Sequence, residues 1–188
     1  MQPALSYAEG MNTLLTDLVP GQLWMLSTPR RSAQLVLDLA TRLAVQAPLR
    51  VLDGGNSFNV YPVAQALRRH TPRVYAALEQ ISVARAFTCY QVNTLLENTP
   101  ADPIPTLVLD LLATFYDESV PLGERRWLLN KTIADLHRLS RLGRVLVSVS
   151  PPPPEAQPST ILYETLLDAV DRVWRLELPQ PAPVLRLF

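Results

Sequence analysis

Several things are scarce in this 188-residue chain, and each scarcity excludes something. There is one cysteine, Cys89, so no internal disulfide can form, and a lone cysteine reads first as a small packed hydrophobe. There are two histidines, His70 and His137, on separate helical segments, and no Cys/His spacing of the kind that holds zinc. No serine stands in a visible Ser–His–Asp arrangement. The formal net charge is zero, which argues against a protein that coats nucleic acid by charge alone. No apolar run approaches the roughly 20 residues of a membrane span. The opening residues, MQPALSYAEG, show no basic stretch followed by an apolar one, so no signal peptide is expected and the expected location is the cytoplasm. Glycine is rare, at 6 residues, and lysine rarer still, Lys131 being the only one. The arginine bias reads as GC-rich coding before any phosphate-binding role.

What is present is apolar and punctuated. Apolar residues make up 48 % of the chain, enough for one sizeable core, and the length suits a single domain over residues 1–188. The 18 prolines fall between periodic segments and crowd into PPPPEAQP, Pro151 to Pro158. GQLWMLS (Gly21 to Ser27), RVLD (Arg50 to Asp53), ISVARAF (Ile81 to Phe87), PTLVLDLL (Pro105 to Leu112) and RVLVSVS (Arg144 to Ser150) read as strands. Helices are expected over Arg30 to Gln46, Val60 to His70, Tyr90 to Asn98 and Gly123 to Gly143, with a short one at TILYETLLDAV. In the first of these, Val36, Leu39, Ala40 and Leu43 recur at i, i+3, i+4 and i+7. DRVWRLEL and VLRLF suggest a terminal hairpin.

Alternating strands and helices with apolar strands predict an α/β fold, a mainly parallel sheet covered by helices on both faces. Leu107, Val108 and Leu109 are expected to be buried in a central strand beside Leu23 to Leu26. In such sheets ligands bind beyond the carboxyl ends of the strands, which directs attention to Ser27 to Arg31, Asp53 to Phe58, Asp110 to Thr114 and Ser148 to Pro151.

The order of these segments resembles the ATPase core of the RecA/RadA strand-exchange recombinases and the related KaiC-like ATPases. VLDGGNSF resembles that family's second-strand motif, D-[TS]-E-G-[ST]-F. ISVARAFTCYQVNTLLE resembles its A-R-A-[YF]…Q…L-L segment, and TLVLDLL its Walker B strand, followed by a matching helix and strand. The similarity covers about Val19 to Ser150 and implies a RecA-like fold.

The departures from the family carry the functional expectation. A P-loop needs G-x-x-x-x-G-K-[ST], because its backbone N–H groups wrap the phosphates and its lysine reaches the terminal ones. The matching stretch, LSTPRRSAQLVL, holds no glycine and no lysine, and Pro29 removes a donor. In one register Ser32 takes the lysine position and Ala33 the hydroxyl position; shifted by one, Arg31 and Ser32 take them. Arg30 or Arg31 at a helix start could still meet an anion. In the family the glutamate of D-[TS]-E positions the attacking water; Gly55 stands there. Asp110 matches the Walker B aspartate, although an acid capping a loop is the preferred reading of it. The degenerate nucleotide site therefore comprises Arg30, Arg31, Ser32, Asp53 and Asp110, with no catalytic residue and no metal ligand assigned.

The expectation is a non-catalytic, pseudo-ATPase domain without a cofactor. It would act through a protein partner or self-association, as an accessory to DNA recombination or repair. The alternative is a weak nucleotide-binding ATPase using ATP, Mg²⁺, Arg31, Ser32 and Asp110. Direct nucleic-acid binding is not expected, because the loop matching one of the family's DNA-binding loops is PPPPEAQPST, with Glu155 and no base. Arg125 and Arg126 are expected on a solvated helix start, and Trp24, Trp127 and Trp174 as core or interface anchors. An apolar surface patch centred on Trp or Tyr is expected near the C-terminal strands.

Overall fold

The computed structural model describes residues 7–28, 33–153 and 156–175. Among them are seven α-helices and six strands. Helix α1 is Tyr7–Asp17, β1 Leu23–Ser27, α2 Ala33–Gln46, β2 Leu49–Asp53, α3 Val60–His70 and α4 Val74–Glu79. Then come β3 Ile81–Arg85, α5 Cys89–Asn98, β4 Thr106–Leu109, a single 3₁₀ turn at Leu111–Ala113, α6 Leu122–Ser140, β5 Val145–Val149, α7 Gln157–Ala169 and β6 Arg172–Arg175.

The strands form one all-parallel sheet in the order β3-β2-β4-β5-β1-β6. Side chains alternate across it. Trp24 and Leu26 of β1, Val51 of β2, Leu107 and Leu109 of β4 and Leu146 of β5 join α1 to α4 in one core. Leu23, Met25, Leu52, Val108, Val145 and Val147 point the other way, into a core with α5, α6 and α7. Both faces are covered, so the inner strands are buried almost throughout and apolar at most positions, which is why they read as apolar runs. An all-parallel sheet between two helical layers is an arrangement consistent with Rossmann-like and P-loop-like folds.

Local chemistry sets the element ends. Asn59 caps α3 by accepting from the Tyr61 N–H, and Thr88 caps α5 by accepting from Gln91. Arg68, Arg69 and His70 close α3, where cations complement the helix dipole. Pro121 precedes α6, and at its far end Gly143 passes so close to Asp102 that a Cβ would stand 2.7 Å from that carbonyl oxygen.

Leu107, Val108 and Leu109 are buried in a central strand. Their neighbours differ from expectation: β4 pairs with β2 and β5, and β5 stands between β4 and β1. The run VLVSV is fully buried and takes the slot between the two. Helices α1 and α4 were not foreseen. The first arm of the expected hairpin is instead a parallel strand, β6, beside β1, while Val184 to Phe188 lie outside the described residues. Among the described residues no helix is long and apolar enough to cross a membrane.

Candidate functional site

The connections leaving β1 and β2 run to one helical layer, and those leaving β4 and β5 to the other. Where neighbouring strands send their connections to opposite faces, a crevice opens at their carboxyl ends. A cavity of about 160 Å³ occupies this place. The hydroxyl residues Thr28, Ser57, Ser148 and Ser150 line it together with Asp110, and Val36, Leu37 and Leu109 form its apolar wall. Among these lining residues there is one acid and no base.

Two of the five residues read from the sequence are described; both stand at the carboxyl ends of strands, and of the two only Asp110 lines the cavity. Arg30, Arg31 and Ser32 lie outside the described residues. Asp53 ends β2 and is completely buried. One carboxylate oxygen accepts the Ser57 N–H at 2.9 Å; the other accepts the Phe58 N–H at 2.9 Å and Arg85 Nε at 3.3 Å. Arg85 also donates to the Phe58 carbonyl at 2.9 Å. The carboxylate thus gathers the loop Gly54 to Asn59 under itself, and Asn56 takes a left-handed φ of 51° within that loop. Asp53 is spent on shaping the loop rather than on facing the cavity.

Asp110 follows β4 directly and lies half-buried at the cavity. Its backbone is left-handed, with φ 46° and ψ 50°. Its N–H donates to Ser148 Oγ at 3.0 Å, and its Oδ1 accepts the Ser150 N–H at 3.3 Å. Its carbonyl accepts from Ala113 at 3.0 Å, opening the 3₁₀ turn. The loop-capping reading of Asp110 agrees with these bonds.

Other hydroxyls crowd the rim. Tyr163 of α7 meets Ser27 at 2.8 Å, and Tyr116 donates to the Ser150 carbonyl at 3.3 Å. Sequence reasoning missed these groups because serine, threonine and tyrosine carry no pattern until strand ends converge. Arg125 reverses its expectation: it is 3 % exposed, with Nη1 donating to the Phe115 carbonyl at 3.0 Å, because the segment after β4 folds back over the first turn of α6. Arg126 is exposed, as expected. Burial pushes the Cys89 thiol above its usual range.

Trp24 is a core residue, Trp174 half-buried and Trp127 exposed at 59 %, with Lys131 Nζ 4.8 Å from its ring centre. Several further exposed apolar side chains lie near the carboxyl end of β3: Val83 on that strand, Phe87 and Tyr90 just after it, and Val60 and Tyr61 at the start of α3. Arg85 joins the two segments through its bond to Phe58. A hydrogen bond to Glu124 raises the Tyr90 phenol above its ordinary range.

No protein-family model matches the chain, and no curated protein matches it either.

Proposed function

We propose that this chain is a non-catalytic RecA-like domain that works by binding a protein, as an accessory to DNA recombination or repair. The strand order is in part that of a RecA-like core, and the ends of β2 and β4 carry the two aspartates that the resemblance requires. Gly55 stands at the family's acid position, and the described cavity wall offers a phosphate one carboxylate and no cation.

The observation that carries the reading is the apolar surface at the β3 edge. Phe87 is 66 % exposed, exposed Val83 and Tyr90 lie within four residues of it in the chain, and exposed Val60 and Tyr61 open α3 just after Phe58, whose carbonyl accepts from Arg85. Monomeric proteins rarely leave large contiguous apolar patches uncovered, and binding hot spots favour aromatic groups. Strand β3 is also a sheet edge with unpaired backbone groups that another chain can extend. In this reading the interaction surface lies at β3; β6 is the other sheet edge, and the C-terminal residues after Arg175 lie outside the described residues.

The test is capture by the purified chain, with light scattering to detect self-association. Phe87→Glu and Val83→Lys should each abolish the interaction while leaving the thermal midpoint unchanged. Steady ATP hydrolysis above a blank, or a rise in midpoint with ATP and Mg²⁺, would overturn the reading in favour of a weak ATPase. That alternative draws on the surviving cavity, whose 160 Å³ is small beside the roughly 300–1,000 Å³ of ordinary ligand pockets.

A further inference from the structure

We infer that Gly55 and Asp110 form a closed steric pair, in which Asp110 tethers the ends of β4 and β5 and its side chain fills the space that any residue at position 55 would need. The inference rests on the reading above only in taking position 55 as the family's acid position. The geometry itself stands apart from it.

A Cβ built on Gly55 would lie 2.6 Å from Asp110 Cβ, 3.1 Å from its Cγ and 2.9 Å from its Oδ2. The nearest of these is a carbon bound directly to the backbone, so no rotation of the Asp110 side chain removes the collision. The backbones are also in contact. Gly54 N–H donates to the Leu109 carbonyl at 2.9 Å, and a Cβ on Gly54 would stand 3.4 Å from that same oxygen and 3.6 Å from Leu111 Cα. The two strand ends are therefore in contact over consecutive residues.

Asp110 cannot yield cheaply. Its left-handed conformation is unusual for any residue with a Cβ, and aspartate is among the few that tolerate it. Three bonds hold it there: N–H to Ser148 Oγ, Oδ1 from the Ser150 N–H, and its carbonyl from Ala113. Two of these cross to β5 or the residue just after it, one from the backbone N–H and one to the carboxylate, so Asp110 joins two adjacent strand ends beside the cavity. A side chain at 55 must push Asp110 off these partners. Placing a glutamate there would accordingly break the tether instead of rebuilding a water-activating acid.

A double-mutant cycle read by urea denaturation tests the pair. Gly55→Ala should lower the folding equilibrium constant by roughly 10- to 100-fold, the usual range for overpacking. In an Asp110→Gly background the colliding Cβ is gone and the left-handed backbone is relaxed, so the same alanine should cost less than about threefold. Equal cost in both backgrounds refutes the steric pair. If Gly55→Ala does not fold, recovery of folding in the double variant supports the pair, and failure to recover overturns it. On the wild-type Gly55 background, Asp110→Asn keeps the shape and an acceptor oxygen and should match the wild type within about threefold, whereas Asp110→Ala should not. A rise in midpoint with millimolar Mg²⁺ that vanishes in Asp110→Asn would make Asp110 a cation ligand and overturn the tether. The cycle reads stability alone, so its failure leaves the partner-binding proposal standing, and ATP turnover would sink that proposal without changing the cycle.

Discussion

Asp53→Ala should be among the most damaging single changes outside the apolar core, and the structure says by how much. The side chain is 0 % exposed and accepts two backbone N–H groups, from Ser57 and Phe58, each at 2.9 Å. Alanine leaves both donors without their acceptor in a buried place, at about 1–3 kcal/mol each. The other two donors, the Ser57 hydroxyl at 3.4 Å and Arg85, which is 44 % exposed, can turn to water, so their loss adds little. The sum falls at about 2–6 kcal/mol, and partial opening of the loop to water puts the expectation near 3 kcal/mol. For a chain of this length that is a drop of roughly 6–12 °C in midpoint, measurable by circular dichroism. Asp53→Asn should cost nearly as much despite its shape. Whichever way the amide is turned, its NH₂ faces an N–H donor: Ser57 on one side, Phe58 and Arg85 on the other. Arg85→Ala should cost only about 1 kcal/mol, because both backbone bonds to Asp53 survive. A loss under 1 kcal/mol for Asp53→Ala, or an Arg85→Ala variant as unstable as it, would falsify the assignment of Asp53 as the organiser of the Gly54 to Asn59 loop.

Three other outcomes are expected. Thr132→Val should be neutral or stabilise by about 1 kcal/mol in urea titration, because the Thr132 hydroxyl is fully buried without a protein partner and valine has its shape; a clear loss would reveal a hidden partner. Asp102 bonds Arg50 at 2.8 Å, and that bond holds its carboxyl below the usual range, so the pair contributes stability above about pH 4 that is lost as pH falls through the lowered pKa. Asp102→Asn should flatten this limb of an acid-denaturation curve, and an unchanged limb counts against the pair. Cys89 should react slowly with thiol reagents in the native protein at pH 8 and quickly in urea, because burial raises its pKa; rapid native labelling would contradict its placement.

The sequence shows local structure well where one element's own residues decide it. Helix α3 has the bounds expected from its pattern, Val60 to His70, because Asn59 caps it and three cations end it. Strand β4 was legible because burial on both faces forces an unbroken apolar run. Helix α4 was not, since six residues hold too little periodicity to register. Helix α1 carried a signal, Met11, Leu14 and Leu18 at i, i+3 and i+7, which is visible once its burial is known. The slot of β5 between β4 and β1 is not a local property at all: two equally apolar strands can exchange places in a sheet without any change in composition.

The site divides along the same line. A glycine at a strand's carboxyl end is visible as a residue type, so Gly55 could be noticed at once. Whether its missing side chain leaves an empty place or a filled one depends on a residue 55 positions further along the chain, and no spacing rule links the two. Arg125 shows the same limit from the other side. Its charge alone suggests solvent, yet the segment from Leu111 onward brings the Phe115 carbonyl to its guanidinium and buries it. A buried charge tolerates little rearrangement around it. The loop that leaves β4 is therefore held at two points, by Asp110 on β5 and by Phe115 on Arg125. Both anchors fix the carboxyl end of β4. Neither anchor touches β3, on or just after which Val83, Phe87 and Tyr90 are exposed.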